Sequence, residues 1–148
     1  MFRRKDAHLE VLLIHPGGPY WARKDEGAWS IPKGEIGEHE EPLAAARREV
    51  LEETGARPDG TFVPLTPVRQ AGGKIVHAWA AESDFDPSAL ISNSFQMEWP
   101  PRSKRLQTFP EADRAAWFTL DVARRKILKG QIPLLDELAR LNPDAERT

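Results

Sequence analysis

The pattern of apolar and polar positions along the chain predicts short strands, one central helix and two helices near the carboxyl end. The apolar run Leu9–Ile14 is typical of a mostly buried strand, and the turn HPGGPYW closes it. Further strands are predicted at Ala28–Ile31, Phe62–Arg69, Ile75–Ala81, Phe95–Trp99 and Ala115–Phe118, and helices at Pro42–Thr54, Asp121–Lys129 and Ile132–Leu141. The polar segment PPRSKRLQTFPEADR is expected to be a loop. The pattern therefore favours a single α/β domain over residues 1–148, with strands and helices in mixed order.

The helix predicted at Pro42–Thr54 has clear limits in the sequence. Pro42 suits the first helical position, Gly55 suits the position just past the end, and Pro58 follows shortly after. On a helical wheel, one stripe of small or apolar residues can pack against a sheet: Leu43, Ala46, Val50 and Thr54. We therefore expect this helix to lie with one face against the strands.

The opposite face of this helix carries three carboxylates, which belong to Glu49, Glu52 and Glu53. Like charges three and four positions apart repel each other and destabilise a helix. One interpretation is a solvated acidic surface. The other is a bound divalent cation such as Mg²⁺, which prefers oxygen ligands and leaves positions for phosphate oxygens. The spacing alone leaves both interpretations open.

Composition narrows the class of protein. The 148 residues include 40% hydrophobic and 30% charged residues with a formal net charge of −2, which is ordinary for a globular domain. This balance and the lack of a long basic stripe disfavour a nucleic-acid-binding protein. The absence of cysteine excludes disulfides, thiolate zinc sites and a cysteine nucleophile. No apolar run is long enough for a membrane span or a signal peptide, so we expect a cytoplasmic location.

A spaced motif surrounds the three carboxylates. The pattern G-x5-E-x7-R-E-x-x-E-E-x-G is complete, and its members are Gly34, Glu40, Arg48, Glu49, Glu52, Glu53 and Gly55. It resembles the Nudix box, the signature of hydrolases that cut nucleoside diphosphates linked to another moiety, over Gly34 to Ala56. Ala56 departs from the larger aliphatic residue that is usual there, which indicates a local difference in packing. The segments WSIPKG and AAWF are also similar to Nudix sequences.

The resemblance to the Nudix family implies a fold and an activity. The fold would be a Nudix-type α/β/α sandwich with a mixed β-sheet, in which the loop–helix–loop of the box carries the active site. The activity would be a pyrophosphohydrolase that depends on Mg²⁺, with Mn²⁺ as a substitute. Family members usually have a full strand leading into a segment like FRRKDAHLEVLLIH, so either the first strand is short here or the start codon lies upstream of Met1.

The metal ligands also follow from the resemblance. The backbone carbonyl of Gly34 and the carboxylates of Glu49, Glu52 and Glu53 would bind the metal. The metal would neutralise charge on the leaving phosphate and lower the pKa of a bound water that attacks phosphorus.

Two further roles in the chemistry are implied for residues near these ligands. Arg48 would pair with Glu40 or Glu52 and hold the ligands in place, and a plain surface salt bridge is the alternative. The general base varies in position within the family. Glu52 is one candidate, Glu111 in TFPEADR is the first candidate outside the box, and Glu98 is the second.

Basic residues near the box are candidates for binding the phosphates of a substrate. Lys33 directly precedes Gly34, where a cation would meet phosphate. Arg102, Lys104 and Arg105 lie in the polar segment predicted as a loop. They either contact a second phosphate or are part of a solvated loop, and the sequence leaves both interpretations open.

The substrate expected from the resemblance is a small phosphorylated nucleotide, and neither a nucleic acid nor a membrane is expected as a partner. The segment IPKGE followed by a basic loop is similar to enzymes that act on dinucleoside polyphosphates or other highly phosphorylated compounds. Nucleoside triphosphates, deoxynucleoside triphosphates, ADP-ribose and nucleotide sugars are the alternatives. A catalytically silent Nudix-fold binding module is the non-enzymatic alternative, which the complete set of box carboxylates disfavours.

Overall fold

The computed structural model describes residues 1–33, 39–58, 60–70 and 72–143. Within these ranges the elements are, in chain order, β1 (Phe2–Lys5), β2 (His8–Pro16), α1 (Pro42–Thr54), β3 (Phe62–Pro64), β4 (Val68–Arg69), β5 (Ile75–Val76), β6 (Trp79–Ala81), β7 (Ser94–Glu98), β8 (Leu106–Pro110), β9 (Ala112–Thr119), α2 (Leu120–Lys126) and α3 (Ile132–Leu141), with 3₁₀ turns at Pro87–Ala89 and Lys129–Gln131. No helix in these ranges is both long enough and apolar enough to cross a membrane.

Strand β2 is the centre of the fold. It pairs antiparallel with β1 on one side and with β9 on the other, so that Leu13 lies opposite Ala116. Three two-stranded antiparallel pairs join β3 to β6, β4 to β5 and β7 to β8. Parallel pairing within the described ranges occurs at isolated bridges, such as the one between Trp29 and Ile127. The predicted α/β fold with strands in mixed directions is confirmed.

Both faces of β2 are covered, which explains why the run Leu9–Ile14 is almost continuously apolar. The odd-numbered side chains pack with residues of α2 and α3, including Leu120 and Leu138. The even-numbered side chains, Leu12 and Ile14, point the other way and pack with alanines of β9. A strand that is buried on both faces is expected to lack the alternating polar positions of a half-exposed strand.

Two of the predicted strands are interrupted in the structure. The segment predicted at Phe62–Arg69 divides into β3 and β4 because Pro64 and Pro67 cannot donate a hydrogen bond to a sheet ladder. The segment predicted at Ile75–Ala81 divides into β5 and β6 at His77 and Ala78. Strand propensity therefore located these regions correctly but overestimated their length.

The prediction of a loop for PPRSKRLQTFPEADR was wrong from Leu106 onward, whereas residues 100–105 form the turn of a hairpin. Leu106–Pro110 forms β8 and pairs residue by residue with β7, and β9 begins at Ala112. Most side chains of β8 are exposed, so the strand lacks the alternating apolar pattern of a half-buried strand. The polar composition of the segment reflects the solvent exposure of this β7–β8 hairpin and does not indicate whether its backbone forms a strand or a loop.

Candidate active site

Helix α1 begins and ends where the sequence predicts. The carboxylate of Glu41 accepts hydrogen bonds from the backbone N–H groups of Leu43 and Ala44, and Pro42 occupies the first turn. Gly55 adopts the left-handed conformation with φ 80° and donates its N–H to Leu51 O at 2.8 Å. These caps fix the first and last residues of α1, and hence which residues belong to its helical turns.

Arg48 is the centre of a polar network on α1. Its guanidinium donates two hydrogen bonds to Glu40, at 2.8 and 2.9 Å, and single bonds to Glu49 Oε1 at 2.9 Å and Glu52 Oε2 at 3.0 Å. The hydrogen bonds to Glu40, together with these carboxylate charges, raise the pKa of Arg48. The two-pronged contact holds the guanidinium in one plane, so that it can orient Glu49 and Glu52.

Glu53 lies in a different environment. Its Oε2 accepts a hydrogen bond at 2.9 Å from the backbone N–H of Lys33, a contact with the segment that leads into the box. Burial raises the pKa of Glu53 to about 7, and the negative charges of Glu49 and Glu111 add to this effect. Burial also raises the pKa of Glu49. A proton or a cation would therefore stabilise this pair of carboxylates.

The structure brings Glu111 to the carboxylates of α1. Its charge acts on both Glu49 and Glu53. A backbone link holds it there: Asn93 donates its N–H to Glu52 O at 2.9 Å and accepts from the Glu111 N–H at 2.8 Å. Glu111 O in turn accepts from Gly17 N at 2.9 Å. The junction between β8 and β9 is thus attached to the end of α1.

Glu98, the second candidate base outside the box, lies elsewhere. It ends β7 and pairs with Leu106, whereas Ser94 at the other end of β7 pairs with Pro110, next to Glu111. Four residues along a strand correspond to about 14 Å. The hairpin therefore separates Glu98 from the carboxylates of α1.

The three cations of the polar segment lie at the tip of the β7–β8 hairpin, and Lys33 lies next to the site. Arg102 and Lys104 adopt left-handed backbone conformations, with φ 63° and 61°, in a tip closed by a hydrogen bond from Trp99 N to Arg105 O at 3.0 Å. The structure records no ion pair for these three cations with any residue in the described ranges. These three cations are available to an anionic ligand at the hairpin tip, which is remote from the carboxylates of α1.

A cavity of 540 Å³ lies beside Glu49. Lys33 and Glu49 line one part of it. The remaining lining is largely apolar and includes Ala46, Val50, Phe62, Trp79, Leu134 and Leu138. Protein interiors rarely leave voids larger than a water molecule, and ligand pockets typically have volumes of roughly 300–1,000 Å³. The size of this cavity is therefore that of a ligand pocket.

The donor atoms near the site determine which metal ion the site suits. Glu49, Glu52, Glu53 and Glu111 supply only hard oxygen atoms, which suit Mg²⁺ or Mn²⁺. Within the described ranges, however, no three such side chains converge closely enough to hold an ion. Gly34, the predicted carbonyl ligand, lies outside those ranges. The donor chemistry fits a hard cation, and the metal-binding geometry itself stays a prediction.

Comparison with known proteins decides the family. A NUDIX domain profile matches residues 1–138. The chain belongs to the NUDIX domain family. Two solved structures share the fold: a C. elegans Ap4A hydrolase (TM-score 0.63, 21% identity, 95% of this chain and 92% of that one) and the NUDIX domain of Shewanella oneidensis NrtR complexed with ADP ribose (TM-score 0.60, 20% identity, 96% and 82%).

Two curated proteins match this NUDIX domain over shorter segments. An RNA pyrophosphohydrolase of Bartonella henselae is 66% identical over 29 residues, which are 20% of this chain and 17% of the relative. An RNA pyrophosphohydrolase of Cellvibrio japonicus is 44% identical over 50 residues, 32% of this chain and 29% of the relative. The chain thus spans less than a third of either relative, so the substrate has to be argued from the site.

Sequence reasoning missed several contacts around the predicted site residues and the segment before them. Asn93 acts through its backbone, and the N–H of Lys33, not its ammonium group, contacts Glu53. Gln131 lies 100 residues from Ile31 in the sequence and hydrogen-bonds its backbone N–H. Backbone contacts and a single buried amide carry no motif, so no signal in one sequence could have identified them.

Proposed function

We propose that this NUDIX domain is a divalent-metal-dependent pyrophosphohydrolase that cleaves a phosphoanhydride bond in nucleoside diphosphate-linked substrates. The observation that carries the proposal is the mutual electrostatic effect of Glu49, Glu53 and Glu111, with a raised pKa at the two box carboxylates. A cation relieves the mutual repulsion of these groups, and a phosphoanhydride substrate requires the same cation. Family membership supports this assignment.

The proposed metal ligands are Glu49, Glu52 and Glu53, with Gly34 as a fourth. Mg²⁺, or Mn²⁺ in its place, supplies a Lewis acid that stabilises negative charge on phosphate oxygens and favours deprotonation of water. Arg48 keeps Glu49 and Glu52 in fixed orientations through the hydrogen bonds described above.

The protein's own residues supply the proton acceptor. We assign this role to Glu111, because it lies beside the box carboxylates while belonging to a different element. It accepts the proton of the attacking water. Glu52 is the alternative base within α1.

The apolar cavity and the cationic hairpin tip differ in chemistry, and together they favour a substrate that carries a different group for each. The apolar cavity suits a nucleoside base, which has planar faces and few charges. The hairpin tip, with Arg102, Lys104 and Arg105, suits phosphates or a second nucleotide farther from the bond that is cut. Dinucleoside polyphosphates and similarly phosphorylated compounds offer both features. We therefore rank them ahead of nucleoside triphosphates, ADP-ribose and nucleotide sugars.

A substrate screen tests the proposal. The purified protein is incubated with Mg²⁺ and a diadenosine polyphosphate, nucleoside and deoxynucleoside triphosphates, ADP-ribose and a nucleotide sugar, and products are separated by chromatography. We expect hydrolysis of the dinucleoside compound with the highest kcat/KM and no turnover in excess chelator. Full activity in chelator would contradict the role of the metal. Tight binding without turnover of any compound would instead identify a catalytically silent binding module.

A further inference from the structure

Gln131 is a buried polar residue far from the box in sequence. It is 0% exposed and lies in the 3₁₀ turn before α3. Its side-chain oxygen accepts a hydrogen bond from Ile31 N at 3.0 Å, and its nitrogen donates to Ser30 Oγ at 3.1 Å and to Gln70 Oε1 at 2.7 Å. The amide thus uses its oxygen and both of its N–H groups. A buried network that is fully satisfied in this way is rigid.

The chemistry of these partners determines the orientation of the amide. The Ile31 N–H can only donate, so it must face the amide oxygen of Gln131. The nitrogen is then directed towards Ser30 Oγ and Gln70 Oε1. Gly130 allows the close approach to Gln70, because a Cβ at position 130 would lie 3.1 Å from Gln70 Cα. No other standard side chain has the same donors and acceptor at the same reach.

The segment held by Gln131 leads directly to the site. Ser30 is anchored to β2 by reciprocal backbone hydrogen bonds with Ile14, at 2.8 and 3.0 Å. Pro32 restricts the backbone after Ile31. The next residue, Lys33, donates its N–H to Glu53 Oε2. Within the described ranges, the Lys33 N–H is the group that donates a hydrogen bond to the Glu53 carboxylate.

We propose that Gln131 is a positioning residue for the active site. By holding the Ile31 N–H, it sets the course of residues 31–33 so that the Lys33 N–H orients the carboxylate of Glu53. The inference rests on the proposed function in that it takes Glu53 as a metal ligand. The link between Gln131 and Lys33 exists without metal and can be tested separately.

The test compares Gln131→Glu with wild type. Glutamate keeps an oxygen for Ile31 but replaces the amide donors with an oxygen that faces Gln70 Oε1, another acceptor. Trp117→Phe is the matched control, since it removes one partly buried hydrogen bond, to Phe85 O, away from the site. Ser30→Ala is a milder second variant, used if Gln131→Glu does not fold.

Three measurements distinguish positioning from a general loss of stability. In metal-free protein, amide hydrogen exchange at Lys33 should accelerate about tenfold in Gln131→Glu relative to Trp117→Phe, after correction for global stability. The dissociation constant for Mn²⁺ should rise about tenfold or more, as when residues that orient metal ligands are changed. The kcat should fall while KM stays close to that of wild type.

Each outcome has a distinct meaning. Equal Lys33 exchange and equal Mn²⁺ affinity in Gln131→Glu and Trp117→Phe would overturn the inference and leave Gln131 a structural residue. Failure of wild type to bind Mn²⁺ would count against the proposed function, while the Lys33 exchange rates would still decide whether Gln131 controls this backbone.

Discussion

The two parts of the acidic face of α1 differ in how their charge is balanced. Glu52 and Glu49 contact the guanidinium of Arg48, which also makes a two-pronged contact with Glu40. Glu53 is more deeply buried and has a backbone N–H as its partner, with a pKa raised to about 7. The protein therefore neutralises one part of the face with its own cation and leaves the other to a proton or an external cation. The proposed metal ligands thus differ in what orients them: Arg48 contacts Glu49 and Glu52, whereas a backbone N–H contacts Glu53.

Of the substitutions that test this comparison, Glu53→Gln should cause the largest loss of activity. It removes the carboxylate for which the described residues show no ion pair, so kcat should fall by more than the roughly 10–100-fold seen for residues that only orient ligands. The rise in Tm on adding Mg²⁺ should also be lost, because that rise reports binding to the native state. Thermal unfolding and turnover assays measure both effects, with the exposed Glu26→Gln as the control. Normal turnover of Glu53→Gln would remove Glu53 from the metal site.

Glu111→Gln should have the next largest effect. It preserves shape but not basicity, so kcat should fall about 100-fold or more with little change in KM, and the acidic limb of the pH–rate profile should shift. Glu98→Gln is the control at the far end of β7 and should stay close to wild type. Activity of both variants together with an inactive Glu52→Gln would place the base in α1.

Arg48→Gln tests the other part of the comparison. Loss of the guanidinium leaves Glu49 and Glu52 without their orienting partner, so Mn²⁺ affinity should weaken about 10–100-fold. Arg48→Lys should recover only part of it, because an ammonium group cannot make the two-pronged contact with Glu40. The neighbouring Arg47→Gln is the matched control, since Arg47 stacks on Phe62 instead. Equal metal affinity in the Arg48→Gln and Arg47→Gln variants would show that Arg48 only forms a surface salt bridge and does not orient the metal ligands.

Replacing Arg102, Lys104 and Arg105 together with alanine should have a smaller effect. Exposed charges each contribute roughly 0.2–1 kcal/mol, so KM for a dinucleoside polyphosphate should rise by several-fold, and more at low salt. The KM for a short substrate should change less, because the tip lies a hairpin's length from the carboxylates. An unchanged KM for every substrate would show that the tip is a solvated surface.

The smallest expected effect is on stability as a function of pH. The pKa of Glu53 is raised from 4.5 to about 7, so between these values the native state binds more protons than the unfolded state. Stability of the metal-free protein should therefore fall as pH rises through this window. In Glu53→Gln this contribution should be absent, and in wild type Mg²⁺ should offset it. Thermal unfolding at pH 5 and pH 7.5, with chelator or Mg²⁺, makes the comparison, and identical pH dependence in both proteins would contradict it.

The sequence predicted α1 with its observed limits because its caps are local. Pro42, Gly55 and the stripe of apolar residues act within a few residues of themselves, so tertiary contacts need not be known. The strands near Phe62 and Ile75 were located but overextended. Pro64 and Pro67 interrupt the first segment, and the second divides at His77 and Ala78, where neither proline nor glycine marks the break in the sequence. Strand β7 was predicted at Phe95–Trp99, but β8 was missed because the largely polar side chains of an exposed strand give no alternating apolar signal.

The sequence by itself determined which carboxylates share one face of α1, since helical periodicity places residues three and four apart side by side. The pairing of Arg48 with Glu40 or Glu52 was implied by the family resemblance. Only the tertiary structure decided which of these carboxylates has its negative charge balanced by a cation of the protein. That distinction depends on burial of Glu53, on Glu111 arriving from the β8–β9 junction, and on Gln131 holding residues 31–33. All three contacts join segments distant in the chain, and such contacts are created by packing, which leaves no periodic signal in a single sequence.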